Sequence, residues 1–177
     1  TTKPTLFKSG AEKLCTFFGL SVRLTCEDAQ EDWTGDTHGG EAFFAYRYRA
    51  TILRGDMMVA EAEGSCSSWE SKYRYRDSKR TCPQCGQQAI IKGKEEYGGG
   101  WVCFKKQGGC NAKFKDGDAA IEGQQIGRAP NPDVIDQVNT VQKMAQKRAM
   151  IAATLIAVNA SDFFTQDMED MPQARGA

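Results

Sequence analysis

Four of the chain's seven cysteines fall into two close pairs, Cys82-x2-Cys85 and Cys103-x6-Cys110, with seventeen residues between the pairs. A Cys-x2-Cys turn aims two thiolates at one point because its backbone N–H groups face the sulfurs, and a second pair delivered by a hairpin completes a tetrahedral set. Four thiolate ligands leave no open position for water, so the expected cofactor is a structural Zn2+ that braces the fold rather than a catalytic ion. The rival use of a Cys-x-x-Cys, disulfide exchange, needs a βαβ setting in which the motif opens a helix. Here Gly86 and a short strand-like run follow instead. The intervening "GQQAIIKGKEEYGGGWV" alternates around a "YGGG" turn, as the two arms of a ribbon would. The "FKKQGG" spacer places Lys105 and Lys106 on a loop the metal would hold, available to phosphates or simply to solvent. Cys15, Cys26 and Cys66 are scattered through apolar or strand-like contexts.

Other chemistry is thinly represented. No GxxxxGK[ST] phosphate loop is present, and "GGG" at 98–100 lacks the Lys-Ser that would bind a nucleotide. His38 is the only histidine and sits in a Gly-rich loop, where a solvated ring is the expectation; nothing in the sequence pairs with it as a nucleophile system would require. Glu61 and Glu63 share one face of a strand, an arrangement that could hold Mg2+ in a nuclease or could pair with neighbouring basic strands. Without a convincing catalytic set, a binding protein and not an enzyme is expected.

The formal net charge of zero conceals segregation. From Lys72 to Lys115 there are eleven basic residues against three acidic ones, while acid concentrates at 27–36 and 162–170. A cationic face with acidic ends suits a polyanion partner and an acidic tail able to cover that face. No apolar run is long enough to span a bilayer and no secretory leader is visible, so a cytoplasmic protein without a membrane partner is expected. The chain does not open on Met, which leads us to expect an excerpt of a longer protein.

Several elements must position these residues. "SGAEKLCTFFGL" (9–20) reads as an amphipathic helix with Ser9 and Glu12 spaced as a capping box and Gly19 ending it. "SVRLTCE" (21–27) alternates as a strand, and a polar loop follows to residue 41. "FFAYRYRATIL" (43–53) is the clearest strand, with Phe44, Tyr46, Tyr48, Ala50 and Ile52 on one face and Arg47, Arg49 and Thr51 on the other. "RGD" turns the chain back into 57–68, and "KYRYR" (72–76) alternates again. The last element is a helix from Asn131 and Pro132 to about Val158, with Val134, Val138, Val141, Ala145, Ala149, Ala152 and Ile156 as its apolar stripe. The fold class is α+β: an antiparallel β-meander packed on a long helix (1–76 plus 119–177) with an inserted four-Cys zinc ribbon (77–118).

Arginines alternate with tyrosines twice, Arg47 and Arg49 among Tyr46 and Tyr48, then Arg74 and Arg76 among Tyr73 and Tyr75. On one sheet these arginines would project together, either meeting Glu61 and Glu63 or forming a groove that tracks a nucleic-acid backbone. Lys79 and Arg80 continue the cationic run, and Trp101 beside Lys105 and Lys106 offers a stacking platform for bases.

The stretch "AYRYRATIL…GDMMVAEAEGSCSSWESKYRYR", followed by "NTVQKMAQKRAMIAATLIAVNASDFF", resembles the hairpin and helix of single-strand annealing proteins, the group of phage Erf and the Rad-fifty-two-type mediators. The likeness covers roughly 41–76 and 131–164, and the ribbon is an addition to the usual pattern. It implies an ATP-independent protein of recombination or repair, in a bacterial or phage-infected cell, forming homo-oligomeric rings or filaments. Single-stranded DNA would lie between sheet and helix, against Arg47, Arg49, Arg74 and Arg76 from the sheet and Lys143, Lys147 and Arg148 from the helix. Two alternatives stay open: a zinc-ribbon nucleic-acid-binding subunit of a larger nucleoprotein complex, and a metal-dependent nuclease.

Overall fold

A computed structural model describes residues 3–165, so the acidic stretch toward residue 170 lies for the most part outside the described residues. In chain order the elements are α1 (Lys8–Phe17), β1 (Ser21–Asp32), β2 (Phe43–Arg54), β3 (Met57–Ser67), α2 (Ser71–Arg74), β4 (Tyr75–Ser78), β5 (Ile90–Lys92), β6 (Trp101–Cys103), β7 (Lys113–Phe114), α3 (Ala119–Glu122), β8 (Gly127–Pro130) and α4 (Val138–Ala157). The fold is α+β, and the chain divides into two compact units, 1–70 with 133–177 and 71–132.

In the first unit β1, β2 and β3 form the antiparallel meander in that order. The β2 face expected to be apolar is buried from Phe44 to Ile52. β1 runs five residues past the predicted end at 27, because an irregularity between Cys26 and Asp28 absorbs one residue and lets pairing with β2 continue to Asp32. α1 differs from the expected capping box. Phe7 holds the cap position without a side-chain hydrogen bond, and Ser9 lies inside the helix. The first turn is instead spanned by the Lys8–Glu12 ion pair at 3.4 Å.

α4 packs on β2 and β3 through Val141, Ala145 and Ala149, as its stripe predicts. Beyond Ala149 the buried face shifts to Met150, Ile151 and Leu155, and Ile156 is 58% exposed. The shift has a cause: α1 packs on this end of α4, with Leu6 and Ala11 meeting Met150, Ile151 and Leu155, so a second partner selects a different face. Burying Ile151 and Leu155 there contributes roughly 1.5–3 kcal/mol each. The helix proper also begins later than Pro132, after a 3-10 turn at Ile135–Gln137.

Helix and sheet approach each other closely at Gly64. A Cβ added there would lie 2.3 Å from the Ala149 amide nitrogen and 2.8 Å from the Ala145 carbonyl oxygen. Polar contacts flank this seam. Gln142 donates to the Tyr48 hydroxyl at 2.8 Å, and Arg148 donates to both Glu70 carboxylate oxygens, at 2.5 and 3.0 Å, and to the Ser65 carbonyl at 2.6 Å.

The loop after β1 is more built than its glycines suggest. The Asp32 carboxylate accepts from the backbone N–H groups of Gly35, Asp36 and Thr37 and from the Thr37 hydroxyl, at 2.7–3.1 Å. His38 Nδ1 lies 2.9 Å from the same carboxylate. The His38 ring stacks on Phe43, with centroids 4.1 Å apart, and meets the edge of Trp69. His38 is therefore a brace, not the solvated ring expected. Its hydrogen bond, then those of Thr37, hold the Asp32 carboxyl far below the usual carboxylate range.

The second unit is larger than the predicted ribbon at 77–118. The "KYRYR" alternation does not extend the meander: Ser71–Arg74 is helical, and β4 pairs with β8 in a sheet of its own. The ribbon proper is the three-stranded sheet β5-β6-β7 rather than two arms.

Two outcomes follow from these contacts. Gly64→Ala should lower the unfolding free energy by about 1–3 kcal/mol, because helix backbone rather than a flexible side chain blocks the new methyl group; urea melts check this. Asp32, with its folded pKa depressed, contributes stability that is present above the unfolded carboxyl value of 3.8 and is lost as the pH falls below it. In Asp32→Asn that part of the acid dependence should vanish, flattening the stability curve below about pH 4.

Candidate metal centre and basic surfaces

The four ribbon cysteines converge. Their Sγ atoms all lie within 4.8 Å of one another, with Cys82 to Cys110 at 3.8 Å and Cys85 to Cys103 at 3.6 Å. A tetrahedron built on metal–thiolate bonds of about 2.3 Å has edges of about 3.8 Å, whereas a disulfide brings its sulfurs to about 2.05 Å. The spacing fits one shared metal ion and no disulfide.

Each pair is shaped by its own turn. In the first, the Gly86 N–H donates to the Cys82 carbonyl at 2.9 Å, with Gly86 at φ +72. In the second, the Asn111 N–H donates to the Cys103 carbonyl at 2.9 Å, and the Cys110 N–H points to Cys103 Sγ at 3.3 Å. Gly109 is required there, since a Cβ would lie 2.6 Å from the Cys103 sulfur. Cys82 and Cys103 are buried among Ala89, Ile90, Ala112 and Phe114, while Cys85 and Cys110 are exposed.

The thiols differ in proton affinity. A backbone hydrogen bond at Gln87 lowers Cys85 to about 7. Burial raises Cys103 to about 12, against a smaller opposing effect of the Cys110 N–H. An entering ion must displace the protons that remain, so binding is coupled to proton release.

The basic residues separate into engaged and free groups. Arg49 meets Glu63 at 2.8 Å, Glu27 at 3.4 Å and Glu61 at 3.9 Å, and Arg47 lies 4.0 Å from Glu63. The outer face of the meander is thus a charge-balanced lattice, and Glu61 and Glu63 already face a guanidinium. Arg74 and Arg76 are not on that sheet. They belong to the α2–β4 segment of the second unit, so the single row of four arginines does not form. Arg148, expected from the resemblance to contact DNA, is tied to Glu70 and Ser65. Trp101 is not a bare platform: Arg80 and Lys92 lie over its ring at 4.2 and 4.7 Å, and its N–H donates to Glu122 at 2.8 Å.

Lys79, Lys105 and Lys106 are exposed in the second unit, the latter two on a 3-10 turn at Lys105–Gln107 between the paired cysteines. In the first unit Lys143 and Lys147 line a cavity of about 370 Å3 with Lys8, Leu24, Met144 and Met150. Among the described residues no acidic side chain lines it, and of its three lysines Lys8 is ion-paired to Glu12 at 3.4 Å. Lys8 and Leu24 were not singled out from the sequence; Lys8 reads there as an ordinary polar position of a short helix, and only the packing of α1 on α4 brings it beside Lys147. The aromatic group of Phe43, Trp69 and His38 was also missed, although "DWTGDTHGG" holds a local signal, an Asp followed by residues whose N–H groups can turn back to it.

Compared with protein-family models, with curated proteins and with solved structures, the chain matches none. Among the described residues no helix is long and apolar enough to cross a membrane.

Replacing Cys103 with Ser removes a buried ligand and should abolish stoichiometric metal binding and disorder the ribbon, while the meander keeps its melting transition. Metal content by mass spectrometry and amide spectra of the two units check this; one ion per chain retained in the variant contradicts the site.

Proposed function

We propose that this chain is an ATP-independent protein that binds single-stranded nucleic acid, DNA above RNA, and pairs complementary strands in recombination or repair, in the cytoplasm of a bacterial or phage-infected cell. The observation that supports it most is the cavity of the first unit, where Lys143 and Lys147, with the Glu12-paired Lys8, stand over an apolar floor of Leu24, Met144 and Met150 and no acid is found among the described lining residues. Cationic walls beside apolar surface suit a chain of phosphates carrying unpaired bases. The second unit adds a strongly basic segment with Lys105 and Lys106 presented between metal ligands.

In this reading the four cysteines hold Zn2+. The all-thiolate tetrahedral set suits that ion, and its role is to fix the ribbon. The protein acts as a homo-oligomer, a ring or filament. The twelve-residue β1 is an edge strand, exposed along most of its length, and supplies an unpaired backbone edge for a neighbouring copy. A nuclease gains no support, because Arg49 neutralises the Glu61 and Glu63 pair that would bind Mg2+. A zinc-ribbon subunit of a larger nucleoprotein assembly is favoured by one observation, the compactness of 71–132 as a unit of its own.

Annealing of complementary oligonucleotides without ATP or Mg2+ should be measurable with the zinc-loaded protein. Lys143→Ala combined with Lys147→Ala should weaken single-strand binding about tenfold and reduce its salt slope by one to two. Unchanged affinity and slope would remove the groove from the account.

A further inference from the structure

The second unit holds a concavity that the reading above does not use. It measures about 400 Å3, within the range of small-ligand sites, and is lined by Lys79, Arg80, Gln88, Ile90, Gln107 and Ile126 among others. Ile126 is 48% exposed, an uncovered apolar surface at its wall. Lys79, Gln88 and Gln107 are exposed, and among the described residues no acidic side chain lines the site. Among the described residues no side-chain hydrogen bond engages the carboxamide of Gln88 or Gln107, so each keeps a free N–H2 donor and a free carbonyl acceptor.

The backbone positions of these two glutamines are set by the turns that carry the thiols. Gln88 follows the Cys82–Cys85 turn, whose end is tied back by the Cys82 N–H donating to the Gln87 carbonyl at 2.9 Å. Gln107 lies on the turn between Cys103 and Cys110, tied by its own N–H donating to the Phe104 carbonyl at 3.0 Å. Both turns end on the same four sulfurs, so an ion there would fix the two turns, and with them the Cα positions of Gln88 and Gln107, relative to each other. Arg80 is fixed as well, by its hydrogen bond to the Ile121 carbonyl at 3.2 Å and its stacking on Trp101.

We propose that this concavity is a base-reading pocket for one unpaired nucleotide, with a preference for a purine such as adenine over a pyrimidine. The isoleucines cover the base, the Gln88 and Gln107 carboxamides meet the donor–acceptor edge of the ring, and Lys79 takes the adjoining phosphate. A carboxamide presents one donor beside one acceptor, the complement of the adjacent donor and acceptor that every unpaired base exposes, and a purine ring covers more of the isoleucine surface than a pyrimidine does. The occupant is argued from charge: the segment Lys72–Lys115 has eleven basic residues and three acidic ones. This pocket deepens the single-strand reading and rests on it for its ligand, but it adds base preference, which a groove of lysines over aliphatic side chains does not supply. The metal then has a second consequence, because loss of the ion would release the two turns that carry the glutamines.

The test uses the zinc-loaded full chain with short labelled oligo-dA, oligo-dC and oligo-dT, together with side-chain amide spectra of the glutamines during titration with each. Oligo-dA should bind about fivefold or more tightly than the other two, with the Gln88 and Gln107 amide signals shifting. Gln88→Ala with Gln107→Ala should bring the three affinities within twofold while general binding persists. Tight binding with no preference and unmoved glutamine signals would overturn the pocket and leave the lysine groove standing. Shifted glutamine signals with no annealing would keep the pocket and overturn the annealing role. An acidic peptide that shifts the same signals where oligo-dA does not would overturn the nucleotide assignment.

Discussion

Helix α4 rides on strand β3 so closely that no side chain fits between them at Gly64, and much of the first unit follows from that constraint. Ala145 and Ala149 are small because the Gly64 backbone meets the helix backbone directly. With the seam fixed, Arg148 falls within reach of Glu70 and Ser65, and Gln142 within reach of Tyr48. Lys143 and Lys147 must then stand on the flank of the helix, where α1 and β1 complete the cavity. The cationic wall is thus a consequence of how the helix is seated, and the arginine next to it in sequence is consumed in holding that seat.

The second unit solves a different problem. Residues 71–132 have few large buried side chains, with Ile121 the largest of the fully buried ones. So small a core needs a staple, which four convergent thiols can supply once an ion neutralises them. The proton affinities fit that division of labour. Cys103, buried under the ribbon, holds its proton strongly, while Cys85 at the surface releases its own near neutrality. The charge of this unit is also partly spent internally, in the stack of Arg80 and Lys92 on Trp101 and in the Lys92–Asp116 ion pair.

The α+β architecture, the thiol cluster and the buried face of β2 were legible because each is written in local spacing: period two in a strand, Cys-x2-Cys in a turn. What escaped was set by distant partners. Tyr75 pairs with Pro130 across more than fifty residues, so nothing near "KYRYR" announces that it leaves the meander. The late turns of α4 changed their buried side because α1 packs there. Trp101 looked available because residue type alone does not reveal that Arg80 already lies over it, whereas the sequence left Arg49 open between a groove and the Glu63 it meets. Among the described residues Lys79, Lys105, Lys106, Lys143 and Lys147 stand without an ion pair, where Arg49, Arg80 and Arg148 serve the fold.

The central claim is that these free lysines grip unpaired polynucleotide through its phosphates. The most direct measurement is the affinity of the zinc-loaded chain for a labelled single strand across a salt series. At about 0.7 of slope per phosphate contact, a log–log slope of about −2 to −4 is predicted for three to six lysines at work. Absence of affinity at about 50 mM salt, or a slope near zero, would contradict the account.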